Sequence, residues 1–364
     1  MDSGLDFAIN SDPVVRLAFF SGLGAVVLTL LLILQIVILR VLYRRNERHR
    51  NAFMSKWSGL LTECALGKNN SLNLPVIAEE EVVFFLAYWN HQYHSLSAVA
   101  RQQLNSLAIE INIGATVRQM LHKGRNADKL LATIGIGFFG NKTDILVLRK
   151  LLVSERPIDC LHAANAMLRI DAETLWEVLP AMVRRSDIPT AGIAFVLMEV
   201  GPEKVSPVLA DMLTRVFQVV PQQRIRQRDV VRLIMLAVTA LPSVVNPCLR
   251  NILDITEDDE VKAACLKVMR DPADLKKIRE YVRNPNWRVR VQAATALGSM
   301  GEENDLTILI GMLTDSQWWV RYRAAQAICS LPFVTTDYLE GLKKTLSDGF
   351  AINMIDHVLS ERAL

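Results

Sequence analysis

Six histidines and five cysteines are the residues of this sequence that could bind a metal or attack a substrate. Zinc sites use Cys and His at short, paired spacings. The cysteines here are instead scattered along the chain, at Cys64, Cys160, Cys248, Cys265 and Cys329. His91 and His94 could share one face of a helix, but the pattern supplies no third ligand. The sequence therefore predicts no metal site.

Neither a reactive thiol nor a phosphate-binding loop is supported. Cys160 lies close to His162, but no acidic residue is spaced to orient the histidine as a base. The run IGIGFFG at 134–140 does not follow a strand pattern, as nucleotide-binding glycine loops do. Apolar helical patterns around most of the cysteines favour buried free thiols in a reducing compartment. We predict no catalytic residue, no cofactor and a non-enzymatic protein.

Two similar stretches near the end of the chain carry tryptophan and arginine, which are common anchors of protein interfaces. NPNWRVRVQAATALGSMG at 284–301 and DSQWWVRYRAAQAICSLP at 315–332 align at a spacing of 31 residues. Their shared part, V-R-x-x-A-A-x-A followed by an apolar residue and a final Gly or Pro, can be traced backwards. Copies begin at residues 100, 128, 159, 189, 230, 261, 289, 320 and 351. Such a regular period predicts stacked structural repeats.

Between these copies lie further apolar stripes with the spacing of amphipathic helices. They occupy residues 144–153, 174–183, 204–213, 246–253, 274–282, 305–313 and 338–346. β-branched residues do not alternate over any sustained run, so no sheet is expected. Each repeat is predicted to be two antiparallel helices, and the fold all-α.

The motif D/N-x-x-x-x-V-R-x-x-A-A-x-A-L-G resembles the HEAT repeat, in its short, phycobilisome-lyase-like form. The resemblance covers residues 96–364 and implies a right-handed α-solenoid of about eight helical hairpins, with the V-R helices on its concave side. It also implies a ladder between the turn acid and the arginine of each motif. Asp315 with Arg321, and Asn284 with Arg290, occupy these positions, where Asn284 replaces the usual acid.

Two groups of residues exceed what stacking requires and are predicted to contact a partner. The first lies in the last two full motifs and comprises Arg288, Trp318, Trp319, Tyr322 and Arg323. The second is the basic stretch VVPQQRIRQRD at 219–229, which lengthens one repeat interval to 41 residues and contains Arg224, Arg226 and Arg228. Long inserts in repeat proteins often lie at binding faces, although a solvated loop also explains this stretch.

One long apolar run precedes the repeats. Residues 17–39 carry no charge, and a helix of that length reaches about 35 Å, enough for a hydrocarbon core of about 30 Å. The acidic N-terminus does not resemble a cleaved signal peptide. Five arginines follow the run: Arg40, Arg44, Arg45, Arg48 and Arg50. By the positive-inside rule, we expect the N-terminus outside and the bulk of the chain in the cytoplasm.

These observations divide the chain into four predicted segments. They are a short periplasmic N-terminus at 1–13, a transmembrane helix at 14–42, a helical juxtamembrane segment at 43–95 and the solenoid at 96–364. The apolar fraction of 51% fits a chain that lies partly in lipid. A net charge of only +3 excludes a general field for nucleic-acid binding. Besides setting orientation, the arginines at the membrane edge can attract anionic lipid headgroups.

The whole layout resembles a group of bacterial membrane-anchored HEAT proteins associated with family-2 glycosyltransferases. The features that carry this resemblance are the anchor, SKWSGLL at 55–61, VVFFLAYWNHQYHSL at 82–96 and the repeats. It implies a single-pass inner-membrane scaffold that binds a protein partner within an envelope exopolysaccharide machine. A lyase-like or cofactor-handling enzyme of the repeat family, and an anchored adaptor for an unrelated signalling protein, are the alternatives.

Overall fold

The computed structural model describes residues 13–66, 74–93, 95–218 and 227–362. Within these ranges all regular elements are helices, and no strand occurs. Helix starts follow from local capping. Asp258 accepts hydrogen bonds from the backbone N–H groups of Glu260 and Val261, and Asn286 accepts one from Arg288. The predicted all-α solenoid fold is confirmed.

Nineteen α-helices lie in the described part of the chain. They are α1 (Pro13–Ala65), α2 (Val82–Tyr93), α3 (Ala98–Glu110), α4 (Gly114–Lys123), α5 (Asn126–Phe139), α6 (Ile145–Leu152), α7 (Pro157–Ile170), α8 (Leu175–Arg184), α9 (Thr190–Val200), α10 (Pro202–Gln218), α11 (Gln227–Met235), α12 (Pro242–Ile255), α13 (Asp259–Val268), α14 (Leu275–Arg279), α15 (Trp287–Met300), α16 (Glu303–Met312), α17 (Trp318–Ser330), α18 (Thr336–Thr345) and α19 (Gly349–Arg362). From α3 onward, each odd-numbered helix contains or directly follows the start of one predicted motif copy. We call these the first helices of the repeats, and the even-numbered ones the second helices.

The chain divides into two compact units, Met1–Ala132 and Thr133–Leu364. The first unit begins with α1, a continuous helix of 53 residues. Its apolar part is exposed, as at Leu17 and Leu42, which are 73% and 56% accessible. Phe19–Ala65 is long and apolar enough to cross a membrane by length and composition, with 0% of its most apolar window buried. This one helix therefore runs through the predicted transmembrane segment into the first part of the predicted juxtamembrane segment, up to Ala65.

The C-terminal end of α1 supplies one side of the first unit's core. Its buried side chains recur at helical spacing, at Phe53, Trp57, Leu61 and Cys64. The Trp57 ring meets the edge of Phe85 at 6.2 Å, and Phe85 lies 5.2 Å from Trp89 of α2. Phe85 and Trp89 are themselves buried. An aromatic core thus fixes the end of the long helix.

The second unit is a stack in which first helices pack on one another in chain order, clearest from α11 through α19. The alanine pairs of the motif lie at these contacts. Ala293 and Ala294 of α15 are 0% accessible, as are Ala324 and Ala325 of α17. Small side chains let the helix backbones approach closely. A Cβ added to Gly298 would lie only 2.5 Å from the Cα of Ala327, so α15 and α17 touch almost directly.

Second helices differ from the predicted stripes in two places. The stripe at 274–282 forms only a short helix, α14, and then turns. The helix α4 lies where no stripe was predicted, because its buried residues are few, chiefly Val117 and Leu121. Three second helices contain a proline five residues after their first residue, at Pro180, Pro207 and Pro247. Each removes one backbone donor from the helix interior.

Candidate interaction surface

The two tryptophans at the start of α17 form an exposed aromatic cluster with Tyr322. Trp318 and Trp319 are 42% and 51% accessible. Their ring centroids lie 4.7 Å apart, edge to face. Tyr322, one turn later, stacks on Trp318 at 5.0 Å with an interplanar angle of 10°. We call Trp318, Trp319 and Tyr322 the aromatic cluster; mutual packing holds its rings in place at the surface.

Hydrogen bonds fix the polar side of this cluster. The Tyr322 hydroxyl donates to Glu361 of α19 at 2.8 Å and accepts from Gln326 at 2.7 Å. Arg323 donates to the Gln326 side-chain oxygen at 2.6 Å and lies 5.7 Å from the Tyr322 ring. The bond to the Glu361 carboxylate, and then partial burial, raise the pKa of Tyr322. The tyrosine and the arginine are thus held in one orientation before any partner binds.

A shallow groove lies beside the cluster, between α17 and α19. Its lining consists of Trp318, Arg321, Phe350, Asn353, Met354 and His357. Phe350 is 72% accessible, and the His357 ring lies 6.1 Å from Tyr322. Phe350 and His357 do not stand out in the sequence, because they lie at or just before the last motif copy and occupy no position that the repeat pattern marks. An aromatic and apolar surface with an arginine is typical of a protein contact site.

A second groove crosses three first helices, α11, α13 and α15. Arg228 lies on one wall and Arg288 on the other, while Ala263 and Ala264 of α13 line it between them. Both arginines are exposed, and the Arg228 guanidinium lies 3.8 Å from the Asp229 carboxylate. Small residues in the middle and long basic residues at the walls give this second groove positively charged sides.

The acidic residues of this second groove are held by neighbouring helices. Asn286 donates to the carboxylate of Asp259 at 2.8 Å, and Gln227 donates to that of Glu260 at 3.0 Å. These bonds run between α13 and its two neighbours. They connect the helices that form the second groove, and Arg228 and Arg288 remain exposed to solvent.

The predicted contact residues therefore fall into two places. Arg323 and the aromatic cluster come together at α17, whereas Arg228 and Arg288 share the groove across α13. Arg224 and Arg226 lie outside the described residues, as does most of the basic stretch, and their role stays a prediction.

The motif arginines bind the turns between repeats. In the last two full copies the arginine of the V-R pair donates to backbone carbonyls there: Arg290 to Asn284 and Pro285, and Arg321 to Asp315 and Ser316. Two arginines outside the V-R position make similar bonds, Arg185 to Ser154 and Glu155 and Arg232 to Val183 and Arg185. Carbonyls at helix ends lack a partner within their own helix. The recurring Arg is therefore a structural residue, which caps the end of a second helix or the turn that follows.

The expected ladder is present with a different pairing. The Asp315 carboxylate pairs with Arg290 of the preceding motif through two bonds of 2.7 Å, whereas Arg321 donates to the backbone carbonyls of Asp315 and Ser316. Asn284 offers Arg290 its carbonyl, while its side chain caps the N–H of Asn286. Burial acts to raise the pKa of Asp315, but the bonds to Arg290 and the hydrogen bond from the Gln317 N–H together outweigh that effect and lower it.

A second ladder joins the second helices and was not predicted. Arg279 of α14 binds both carboxylate oxygens of Asp305, at 2.6 and 2.9 Å. Arg250 of α12 pairs with one carboxylate oxygen of Asp274, just before α14, and Asn246 donates to the other at 2.6 Å. Both aspartates are 0% accessible. The sequence does contain a sign of this ladder. The apolar stripes at 274–282 and 305–313 each begin with an aspartate, and the stripe before each of them contains an arginine.

Across the part of the chain that the structure describes, residues with nucleophilic or metal-binding chemistry are not assembled into a site. All cysteines are free, and four are buried: Cys64, Cys160, Cys265 and Cys329. Burial raises the pKa of Cys160 and raises that of Cys265 to about 12, which disfavours the thiolate. Burial also lowers the pKa of His162. No group of three potential metal ligands occurs in the described ranges, and His94 lies outside them.

Comparison with known families concerns the C-terminal half of the repeat region. Residues 246–329 match the family model of HEAT repeats. The matched segment runs from α12 into α17 and contains the whole of α13 and α15. The HEAT resemblance is therefore confirmed there. The phycobilisome-lyase-like form and the link to glycosyltransferases stay predictions.

No curated protein matches the chain. Among solved structures, a crystal structure of an engineered protein from a structural genomics consortium is 14% identical, with a TM-score of 0.33. The alignment covers 86% of this chain and 95% of that chain.

Proposed function

We propose that this protein is a non-enzymatic scaffold, anchored in a bacterial inner membrane, whose cytoplasmic HEAT repeats bind a protein partner. The observation that carries the proposal is the aromatic cluster on α17. Trp318 and Trp319 expose large apolar rings, and hydrogen bonds orient Tyr322 and Arg323 beside them. Stacking of repeats does not require these side chains to be exposed. Preoriented Trp, Tyr and Arg are the residue types that dominate binding energy at interfaces.

The anchoring part of the proposal is supported by α1. Its apolar residues are exposed over a length that suits a hydrocarbon core, and water is a poor solvent for such a surface. The arginines that follow the span favour a cytoplasmic location for the repeats. The N-terminal residues 1–12, which the topology places in the periplasm, lie outside the described part.

We further propose that the partner belongs to a membrane glycosyltransferase machine that makes or exports an envelope polysaccharide. Support comes from the resemblance of the layout, with an anchor, an aromatic helix at 82–93 and HEAT repeats, to bacterial proteins associated with such enzymes. A scaffold at the inner leaflet would contact the cytoplasmic domain of the synthase.

Site-specific photocrosslinking in cells tests this proposal. The photoreactive residue benzoylphenylalanine replaces Trp319, and in a matched control it replaces Trp176, an exposed tryptophan of α8 (47% accessible). We expect a defined crosslinked product from position 319 that contains a glycosyltransferase subunit, and none from position 176. Equal products from both positions, or none from 319, would contradict the assigned surface.

A pair of variants separates the two candidate places on the repeats. Trp319→Ala with Arg323→Ala removes contacts at α17, and Arg228→Gln with Arg288→Gln removes the cations of the second groove. Copurification of the partner from solubilised membranes should fall at least about tenfold for the first pair, because interface anchors each contribute about 2 kcal/mol or more. A loss confined to the second pair would move the binding site to the groove across α13.

A further inference from the structure

A short stretch of α1 lies between its apolar span and the core of the first unit. Residues 43–52 are helical and exposed, except for the half-buried Glu47, and the buried face begins at Phe53. Ten helical residues span about 15 Å. The helix therefore leaves the apolar span as a lone rod, with no neighbouring element of the described chain packed around it.

Three arginines of this rod, and Arg40 just before it, form no ion pair with an acidic residue of the described ranges. Arg40, Arg44 and Arg48 follow one another at four-residue spacing and so share a face, and Arg45 lies beside it. All four are exposed, and none forms an ion pair with a described residue. Arg50 differs, because it lies on another side of the helix and its guanidinium is 3.8 Å from the Glu47 carboxylate. Cations left unpaired on one face need counter-ions from outside the protein.

The position of these arginines indicates which counter-ions they meet. The predicted transmembrane segment ends at Leu42, and the polar headgroup layer extends roughly 5–7 Å beyond the hydrocarbon core. Arg44 and Arg45 lie about 3–5 Å past Leu42 along the helix axis. Arg40 lies just before that point and Arg48 about 9 Å past it, and long arginine side chains reach back to the interface. All four guanidinium groups can therefore reach the level of the lipid phosphates.

We propose that Arg40, Arg44, Arg45 and Arg48 form a binding site for the phosphate groups of anionic phospholipids in the inner leaflet. The inference rests on the membrane anchoring proposed above. Guanidinium groups bind phosphate oxygens in a bidentate way, which a topology signal alone does not require. Bound lipids would neutralise the rod and hold α1 at a fixed depth.

The test measures lipid preference on the purified full-length protein in neutral detergent, where orientation in a membrane plays no part. Mixed micelles supply equal amounts of phosphatidylglycerol and phosphatidylcholine, and native mass spectrometry counts the lipids retained. We expect phosphatidylglycerol to be retained in preference. Each arginine near a lipid surface contributes about fivefold to binding.

Four variants complete the design. Changing all four arginines to glutamine should reduce the preference by about tenfold or more, and the double variant Arg44→Gln/Arg45→Gln should give part of that loss. The four-lysine variant retains charge and should keep some preference. Arg50→Gln, the matched control, should change it by less than about twofold, because Arg50 lies off the shared face beside Glu47.

The inference is overturned if the wild-type protein retains both lipids equally, or if the four-glutamine variant keeps the wild-type preference. Extraction of native membranes with alkaline carbonate separates this result from a failure of anchoring. A protein that resists extraction but shows no lipid preference is anchored without the site. A protein that is extracted contradicts the anchor itself, and with it the proposed function.

Discussion

Single residues of the repeat motif connect more than one repeat. The Asp315 carboxylate binds Arg290 of the preceding motif, while the Asp315 carbonyl accepts from Arg321 of its own. Asp305 holds Arg279 in the same manner between second helices, and it also accepts from the N–H of Glu302. Charged groups this well buried are tolerated because nearly all of their hydrogen-bonding capacity is used.

Replacing Asp305 with asparagine should destabilise the second unit by about 2 kcal/mol, because a charge-assisted pair to Arg279 is lost at a 0% accessible site. Thermal unfolding in detergent, followed by circular dichroism, measures the change. Asp211→Asn serves as a control, since its pair with Arg215 is largely solvated and contributes less than about 0.5 kcal/mol. Equal effects of the two substitutions would contradict the role given to the buried ladder.

The same ladder predicts a dependence on pH. Burial opposes ionisation of Asp305 and Asp315. The bonds to Arg279 and Arg290, together with hydrogen bonds from backbone N–H groups, outweigh it, so both pKa values lie below their ordinary value. A carboxyl with a lowered pKa stabilises the fold above its unfolded pKa, about 4, and loses that contribution as pH falls through the folded value. The melting temperature should therefore drop below about pH 4, and the gap between wild type and Asp305→Asn should narrow there.

Thiol chemistry offers another prediction at this scale. Cys248 is the half-buried cysteine, and its sulfur contacts Thr214 at 3.6 Å, whereas the other cysteines are buried. A maleimide reagent should modify Cys248 first in the folded protein, and Cys265 should resist because burial raises its pKa to about 12. Peptide mass mapping over time checks the order. Modification of all sites at one rate would show that the repeats open together.

Sequence reasoning located the exposed residues of α17 by their departure from the repeat. Trp319, Tyr322 and Arg323 stood out because the preceding motif has Arg288, Val291 and Gln292 there. The bond from Tyr322 to Glu361 spans 39 residues and could not be inferred, since it depends on how α19 packs. Pairing in the ladder was misassigned for a similar reason: spacing identifies the residues of a motif but not which neighbouring repeat supplies the partner.

Of the contacts between two helices that involve a glycine, the one between α15 and α17 leaves the least room for an added Cβ. Gly298→Ala would place a Cβ 2.5 Å from a backbone atom of Ala327, which cannot move aside as a flexible side chain can. We expect destabilisation of about 2 kcal/mol, measured by thermal unfolding. Gly341→Ala in α18 is the control with opposite sign: a Cβ there meets nothing within 4 Å, so helix propensity should stabilise it by up to about 1 kcal/mol.

Element positions were largely predictable, because stacking imposes a repeated apolar pattern. Every predicted motif copy from residue 100 to residue 351 begins within or directly before a helix. The short α14 was not predicted, since an apolar stripe continues through the turn after Arg279. The uninterrupted α1 was also missed. A change of solvent from lipid to water alters which residues are tolerated but does not itself break a helix.

For the whole molecule, orientation is the property to establish. A cysteine introduced at Ser3 should react with a membrane-impermeant maleimide in intact cells, whereas Ser55→Cys, at an exposed site of α1, should react only after permeabilisation. Ser3 lies outside the described residues, and all native cysteines follow the span and should stay unlabelled in intact cells. Labelling of Ser55→Cys alone in intact cells would reverse the proposed topology.

The unbroken helix α1 fixes how its apolar part is rotated relative to its buried C-terminal part. Because Pro13–Ala65 is one helix, each side of its apolar part lies at a fixed angle about the helix axis relative to the buried face that starts at Phe53. One alanine inserted between Asn46 and Glu47 would turn the two parts by about 100° against each other, while moving them apart by only about 1.5 Å. Insertion of seven residues nearly restores the original angle about the helix axis and lengthens the exposed stretch by about 10 Å. The rotation of the apolar part about the helix axis and its axial distance from the buried face can thus be varied almost independently.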